Sequence, residues 1–123
     1  MDVQKESIKW VMDYERKQGN NPEDVSKKNE HKGYDVVSGD KKIEVKGRSK
    51  EKIGFNGFNK YNFEALQRED NFYVYCVHNL ENNNPKLIIF NKFEVLKRLR
   101  FMPSFELHFS EQDRNNAIDL IFV

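Results

Sequence analysis

Hydrophobic and polar positions follow a helical period at the start of the chain. In residues 2–18, Val3, Ile8, Trp10, Val11, Met12 and Tyr14 recur at helical spacing among charged residues, and Gly19 follows as a stop, which predicts an amphipathic helix. Ile8, Val11, Met12 and Glu15 fall on one broad face, so Glu15 stands at the edge of the buried stripe. Residues 20–32 are polar, contain Pro22 and show no period; they predict a loop with a short turn near 22–25.

The period then changes to two. Residues 34–38 and 41–46 are rich in Val, Ile and Tyr, and Gly39-Asp40 between them has turn chemistry, so residues 33–48 predict a hairpin. A two-residue loop pairs Ser38 with Lys41, Val37 with Lys42, Val36 with Ile43 and Asp35 with Glu44, and sets Gly33 opposite Lys46. Alternation then puts Asp35, Glu44 and Lys46 on one face and Tyr34, Val36, Ile43 and Val45 on the other, which is the core face.

Further on, 53–56 predicts a short strand. A helix over 60–68, capped by Asn59, follows it, with Phe63, Leu66 and Gln67 inward. Residues 72–77 predict a buried central strand, 80–86 a turn, and 87–90 another strand. Phe93, Leu96 and Leu99 fit a helix over 92–100 closed by Pro103. Residues 105–109 and 118–122 alternate like strands and predict a terminal hairpin, although Ser110 with Asp113 also has the form of a helix cap.

The length of 123 residues predicts one domain with a modest core. With 21 basic and 20 acidic residues, global charge points to no partner, but Lys41, Lys42, Lys46, Arg48, Lys50 and Lys52 crowd one stretch. That stretch reads either as a phosphate-attracting patch or as a soluble, Lys-rich surface. No apolar run is long enough to span a membrane and the N-terminus lacks an apolar leader, which predicts a cytoplasmic protein with no membrane partner. Cys76 lies in an apolar strand and reads as core, while His31, His78 and His108 stand singly, so no Cys/His zinc spacing exists.

Two carboxylates directly opposed across a hairpin repel unless something positive stands between them. A hard divalent cation removes the objection, since Mg²⁺ takes oxygen ligands and commonly only one or two carboxylates. Lys46, on the same face, is placed to neutralise, position or activate a metal-bound water. On spacing alone the alternative stands beside it: a solvated face on which Glu44 and Lys46 form surface pairs.

The combination Tyr14-Glu15, Asp24-Val25-Ser26, Gly33-Tyr34-Asp35-Val36 and Ile43-Glu44-Val45-Lys46-Gly47-Arg48, followed by a helix and a strand, resembles the PD-(D/E)XK nuclease superfamily. Within it, the chain is most similar to the domain at the C-terminal end of the plant NO VEIN protein and in many prokaryotic restriction and defence proteins. The resemblance covers about the first ninety residues. It implies a single restriction-endonuclease-like α/β domain over residues 1–123, with a central mixed β-sheet flanked by helices. It also implies a metal-dependent endonuclease that hydrolyses phosphodiester bonds in DNA with Mg²⁺ or Mn²⁺. Asp35, Glu44 and Glu15 are then the metal residues and Lys46 supports the attacking water, while Arg48, Lys50 and Lys52 hold the phosphate backbone. Cutting both strands would require a homodimer or a partner such as an ATPase or helicase. Two rivals remain: a non-cleaving nuclease-fold module that binds nucleic acid or docks onto a partner ATPase, and a purely structural interaction protein.

Overall fold

The computed structural model describes residues 1–28, 32–50, 55–101 and 105–123. Helix α1 spans Val3–Lys17, and the Asp2 side chain caps it by accepting the N–H of Lys5. The hairpin strands are β2 (Val36–Ser38) and β3 (Lys41–Gly47), in the register expected for Val36–Ile43, Val37–Lys42 and Ser38–Lys41. A parallel strand, β5 (Phe72–His78), lies on the other side of β3. Parallel pairing requires a crossover, which carries strand β4 (Phe55–Phe58) and helix α2 (Lys60–Arg68). Strand β6 (Lys86–Asn91) and the two-residue β9 (Ile118–Asp119) complete the sheet.

The six strands run in the order β1-β2-β3-β5-β6-β9, where β1 is Pro22–Asp24. Residues 22–24 were expected in a loop, and the correction has a simple cause. A three-residue strand is too short to show a period, and Pro22 opens it at the sheet edge, where a missing N–H is tolerated.

Apolar side chains pack on both faces. On the α1 face Ile8 and Val11 meet Val36, Ile43, Val45, Tyr75, Val77 and Leu87. The other face buries Phe58, Ala65, Leu66, Phe72, Val74, Cys76, Phe90 and Val95, so Cys76 is core as its strand predicts.

The C-terminal third departs from expectation in several places. Helix α3 is Lys92–Arg98, and Leu99 already begins strand β7 (Leu99–Phe101). Val95, not Phe93 or Leu96, is its buried residue; Phe93 is 72% and Leu96 48% exposed. In α2, Leu66 is buried and Phe63 packs partly buried against the core as expected, Asn62 and Ala65 are buried with them, and Gln67 is exposed. Strand β8 (Phe105–Leu107) pairs with β4 and β7 in a separate three-stranded sheet, whereas β9 joins β6, so the terminal hairpin does not form. The cap reading of Ser110 and Asp113 holds: they make a capping box for helix α4 (Glu111–Asn115). Of the strand expected at 53–56, residues 53 and 54 lie outside the described residues; β4 starts at Phe55.

Two glycines fix the approach of helices to the hairpin. A Cβ on Gly47 would stand 2.0 Å from Ser7 Oγ, so α1 lies directly on this end of β3. At Gly33, φ is +84° and a Cβ would stand 2.1 Å from the Tyr61 carbonyl oxygen, which ties the start of the hairpin to α2. Gly33→Ala combines left-handed strain with a backbone clash and is expected to cost about 3 kcal/mol or more in urea unfolding. A loss under about 1 kcal/mol would mean that this approach is not needed for folding.

Candidate active site

Strand β3 divides its side chains between two helices. Ile43 and Val45 are fully buried on the α1 face, while Glu44 points to the α2 face and is only 6% exposed. Glu44 accepts from Lys46 Nζ at 2.8 Å. The same ammonium donates to the Gly57 carbonyl at 2.8 Å and stands 3.4 Å from Asn62 Oδ1. Asn62 is itself fixed: its Nδ2 donates to the Gly33 carbonyl at 2.9 Å and its Oδ1 accepts the N–H of Asn59, within the capping box that starts α2.

Asp35 reaches this place by leaving the ladder. Val36 is the partner of Ile43, yet the N–H of Asp35 also meets the Ile43 carbonyl, at 2.8 Å. That one-residue irregularity turns Tyr34 onto the α2 face, against Phe58 and its neighbours, where strict alternation had put it with Val36. It also frees the Asp35 side chain to act as a strand partner. Asp35 Oδ2 accepts the N–H of Val45 at 2.9 Å. Gln4 Nε2, from the first turn of α1, donates to the same oxygen at 3.2 Å and to the Val45 carbonyl at 3.2 Å. Asp35 and Glu44 line one cleft of about 110 Å³ with Ser26, Asn59, Tyr61 and Asn62.

The two carboxyl groups are coupled. Burial pushes Glu44 up to about 8, with the neighbouring Asp35 charge adding to the rise and Lys46 opposing it. Burial also raises Asp35, against the pull of the Val45 N–H. Of the two, Glu44 is the one driven toward its neutral form.

Glu15 is not part of this constellation. It is fully buried on the α1 face, where it accepts from Tyr75 Oη at 2.8 Å, Lys41 Nζ at 3.0 Å and Asn20 Nδ2 at 3.0 Å. Burial pushes its carboxyl upward, but the hydrogen bonds from Tyr75 and Lys41 outweigh that and hold it below the usual range. Glu15 lies eleven residues beyond Gln4, roughly 16 Å along the helix axis. The structure does not bring it together with Asp35 and Glu44, as a shared metal site expects: among the described residues no group of three or more His, Cys, Asp or Glu side chains converges.

The remaining predicted residues fall at the end of β3. Arg48 and Lys50 line a second cleft, of about 390 Å³, together with Val3, the neighbour of Gln4. Their main chain is pinned by the Arg48 N–H to the Val77 carbonyl and by the Asn79 N–H to the Lys50 carbonyl. Lys52 and His31 lie outside the described residues. Two side chains at the site, Gln4 and Asn62, were not anticipated. Asn62 had a signal, since Asn59-x-x-Asn62 has the spacing of a capping box, but nothing in the spacing ties it to Lys46.

The donor set suits a hard divalent cation. It consists of the Asp35 and Glu44 carboxyl groups in one cleft and the Val45 carbonyl beside Asp35, all oxygen donors and none of them soft. Asp35 and Glu44 would hold the ion.

The fold and the site define a mixed α/β domain, with a carboxylate pair and a lysine gathered where one strand outruns its neighbour. The family model described as Protein NO VEIN, C-terminal, matches residues 3–90, and the chain belongs to that family. The match runs from α1 into β6 and includes Gln4, Asp35, Glu44, Lys46 and Asn62. No curated protein and no solved structure matches the chain. No described helix is long and apolar enough to cross a membrane.

The two buried glutamates act on stability with opposite signs. Glu15 is held low when folded, so its contribution is present above the ordinary glutamate range and lost as pH falls through its folded value. Glu44 is raised, so its contribution is complete below the ordinary range and lost as pH rises through about 8. In metal-free buffer, wild type is expected to lose melting temperature between pH 5 and 8.5, and Glu44→Gln to lose less over that interval. Parallel profiles for the two proteins would remove Glu44 as the source.

Proposed function

We propose that this domain is a divalent-metal-dependent nuclease acting on DNA, with Asp35 and Glu44 as the metal-holding pair and Lys46 as the residue that orients the attacking water. The observation that carries this reading is a pair of carboxyls lining one cleft, Glu44 almost wholly withdrawn from water, with a lysine ammonium 2.8 Å from it. Such an arrangement is costly for an isolated domain at neutral pH, and a cation relieves the cost. A bound Mg²⁺ or Mn²⁺ would supply polarisation of a phosphate and a lower pKa for water. The chain's own part is to present both carboxyls in one cleft, to fix Lys46 through Gly57 and Asn62, and to offer Arg48 and Lys50 for phosphate contact. Lys52 belongs to the same proposal by its position in sequence alone.

One observation favours the non-cleaving alternative, a nuclease-fold module that binds nucleic acid or docks onto a partner ATPase or helicase. An ammonium has three donors, and Lys46 has three acceptors around it: Glu44, the Gly57 carbonyl and Asn62. Orienting a water therefore requires it to release one of them.

Calorimetric Mg²⁺ titration with plasmid nicking, on wild type and variants, separates these readings. Glu44→Ala is expected to lose both metal binding and nicking. Lys46→Ala is expected to keep metal binding and lose roughly a hundredfold or more in nicking rate. Wild type that binds metal but does not nick would favour the alternative. For Arg48→Ala, affinity for two unrelated duplexes is expected to fall about equally, and the slope of log affinity against log salt to become shallower by roughly one unit. A slope and affinity equal to wild type would remove Arg48 from the phosphate contacts.

A further inference from the structure

We infer that Gln4 is a plug for the cation position: its amide NH₂ stands where a metal ion would bond to Asp35 and the Val45 carbonyl, and it sets how tightly the metal is held. The inference rests on the metal reading of Asp35 and Glu44 and adds a residue to it from a different element. Gln4 Nε2 lies 3.2 Å from Asp35 Oδ2 and 3.2 Å from the Val45 carbonyl oxygen. Both partners are acceptors, so the group between them must be a donor or a cation. A carboxylate oxygen beside a main-chain carbonyl is a donor set for a hard cation, and here the amide hydrogens fill it.

The surroundings make Gln4 able to withdraw. It is exposed and sits in the first turn of α1, and Asp35 is the one side chain it bonds among the described residues. Asp35 and the Val45 main chain do not share that freedom. Asp35 is held by the Val45 N–H, and Val45 is fully buried in the sheet. Arrival of an ion therefore displaces the glutamine and leaves the oxygens in place. Rotation about the terminal torsion, or departure of the whole side chain into solvent, suffices.

Mn²⁺ affinity by titration calorimetry on the full chain tests this without reference to cleavage. Gln4→Ala removes the competitor and is expected to bind Mn²⁺ about threefold more tightly, the scale of one modest hydrogen bond. Gln4→Lys installs a permanent cation at the same place and is expected to weaken Mn²⁺ binding by about tenfold or more. Gln18→Lys adds the same charge to an exposed position roughly 20 Å away along the helix and is expected to leave affinity near wild type. Opposite shifts for Ala and Lys at position 4 support the plug. Unchanged or weaker binding by Gln4→Ala overturns it, as does a Gln4→Lys protein that matches Gln18→Lys. Wild type and all variants failing to bind Mn²⁺ would overturn the metal reading itself, whereas wild-type binding that position 4 does not move overturns this inference alone.

Discussion

The N–H of Val45 finds its acceptor in a side chain. Strand β2 begins at Val36, one residue after Asp35, and β3 continues past that point to Gly47. The Asp35 carboxylate takes the main-chain donor that β2 does not reach, at 2.9 Å. Much follows from that bond. It holds a carboxylate against a buried strand and draws it beside Glu44, and the same irregularity sends Tyr34 to the opposite face. A polar group withdrawn from water needs a partner, and here one partner serves strand edge and site together.

A second ionic cluster lies at the other end of α1. Glu15, Lys41, Tyr75 and Asn20 close the far end of the helix onto the sheet through hydrogen bonds within 3.0 Å of Glu15. Glu15 is charged and satisfied there, its carboxyl held low, whereas Glu44 on the other face is driven toward its neutral form. Two buried glutamates on one small sheet thus have opposite electrostatic characters. The difference lies in the partners: Glu15 has hydrogen-bond donors around it, and Glu44 has the Lys46 cation and the Asp35 acid.

The hairpin, α1, α2 and the central strand were legible because each carries a strong period bounded by turn or cap chemistry, and the pairing of Val36, Val37 and Ser38 with Ile43, Lys42 and Lys41 follows from Gly39-Asp40. What strict alternation misses is the irregularity at Asp35, since one extra residue in a strand leaves no mark on composition. Glu15 was misplaced for a different reason. A helix face says which residues look inward but not which end of the helix meets a given strand. The C-terminal third was the least legible. Its elements are short, and 105–107 could pair with any exposed edge; β7, just before it in sequence, and β4, distant in sequence, took it.

The glycines of the hairpin explain why the motif around the acids has the form it does. Gly33 lets the chain pass against the Tyr61 carbonyl, and its own carbonyl receives the Asn62 amide that stands beside Lys46. Gly47 admits Ser7 and Val3, which brings the first turn of α1, and with it Gln4, to the end of β3. A side chain at either glycine would push a helix away from the carboxylates. Gly-Tyr-Asp and Glu-Val-Lys-Gly are therefore each a chemical residue together with the gap that lets its helix reach it. That coupling is why the acids and the glycines constrain one another in this fold, and why the site draws on α2 through Gly33 and on α1 through Gly47.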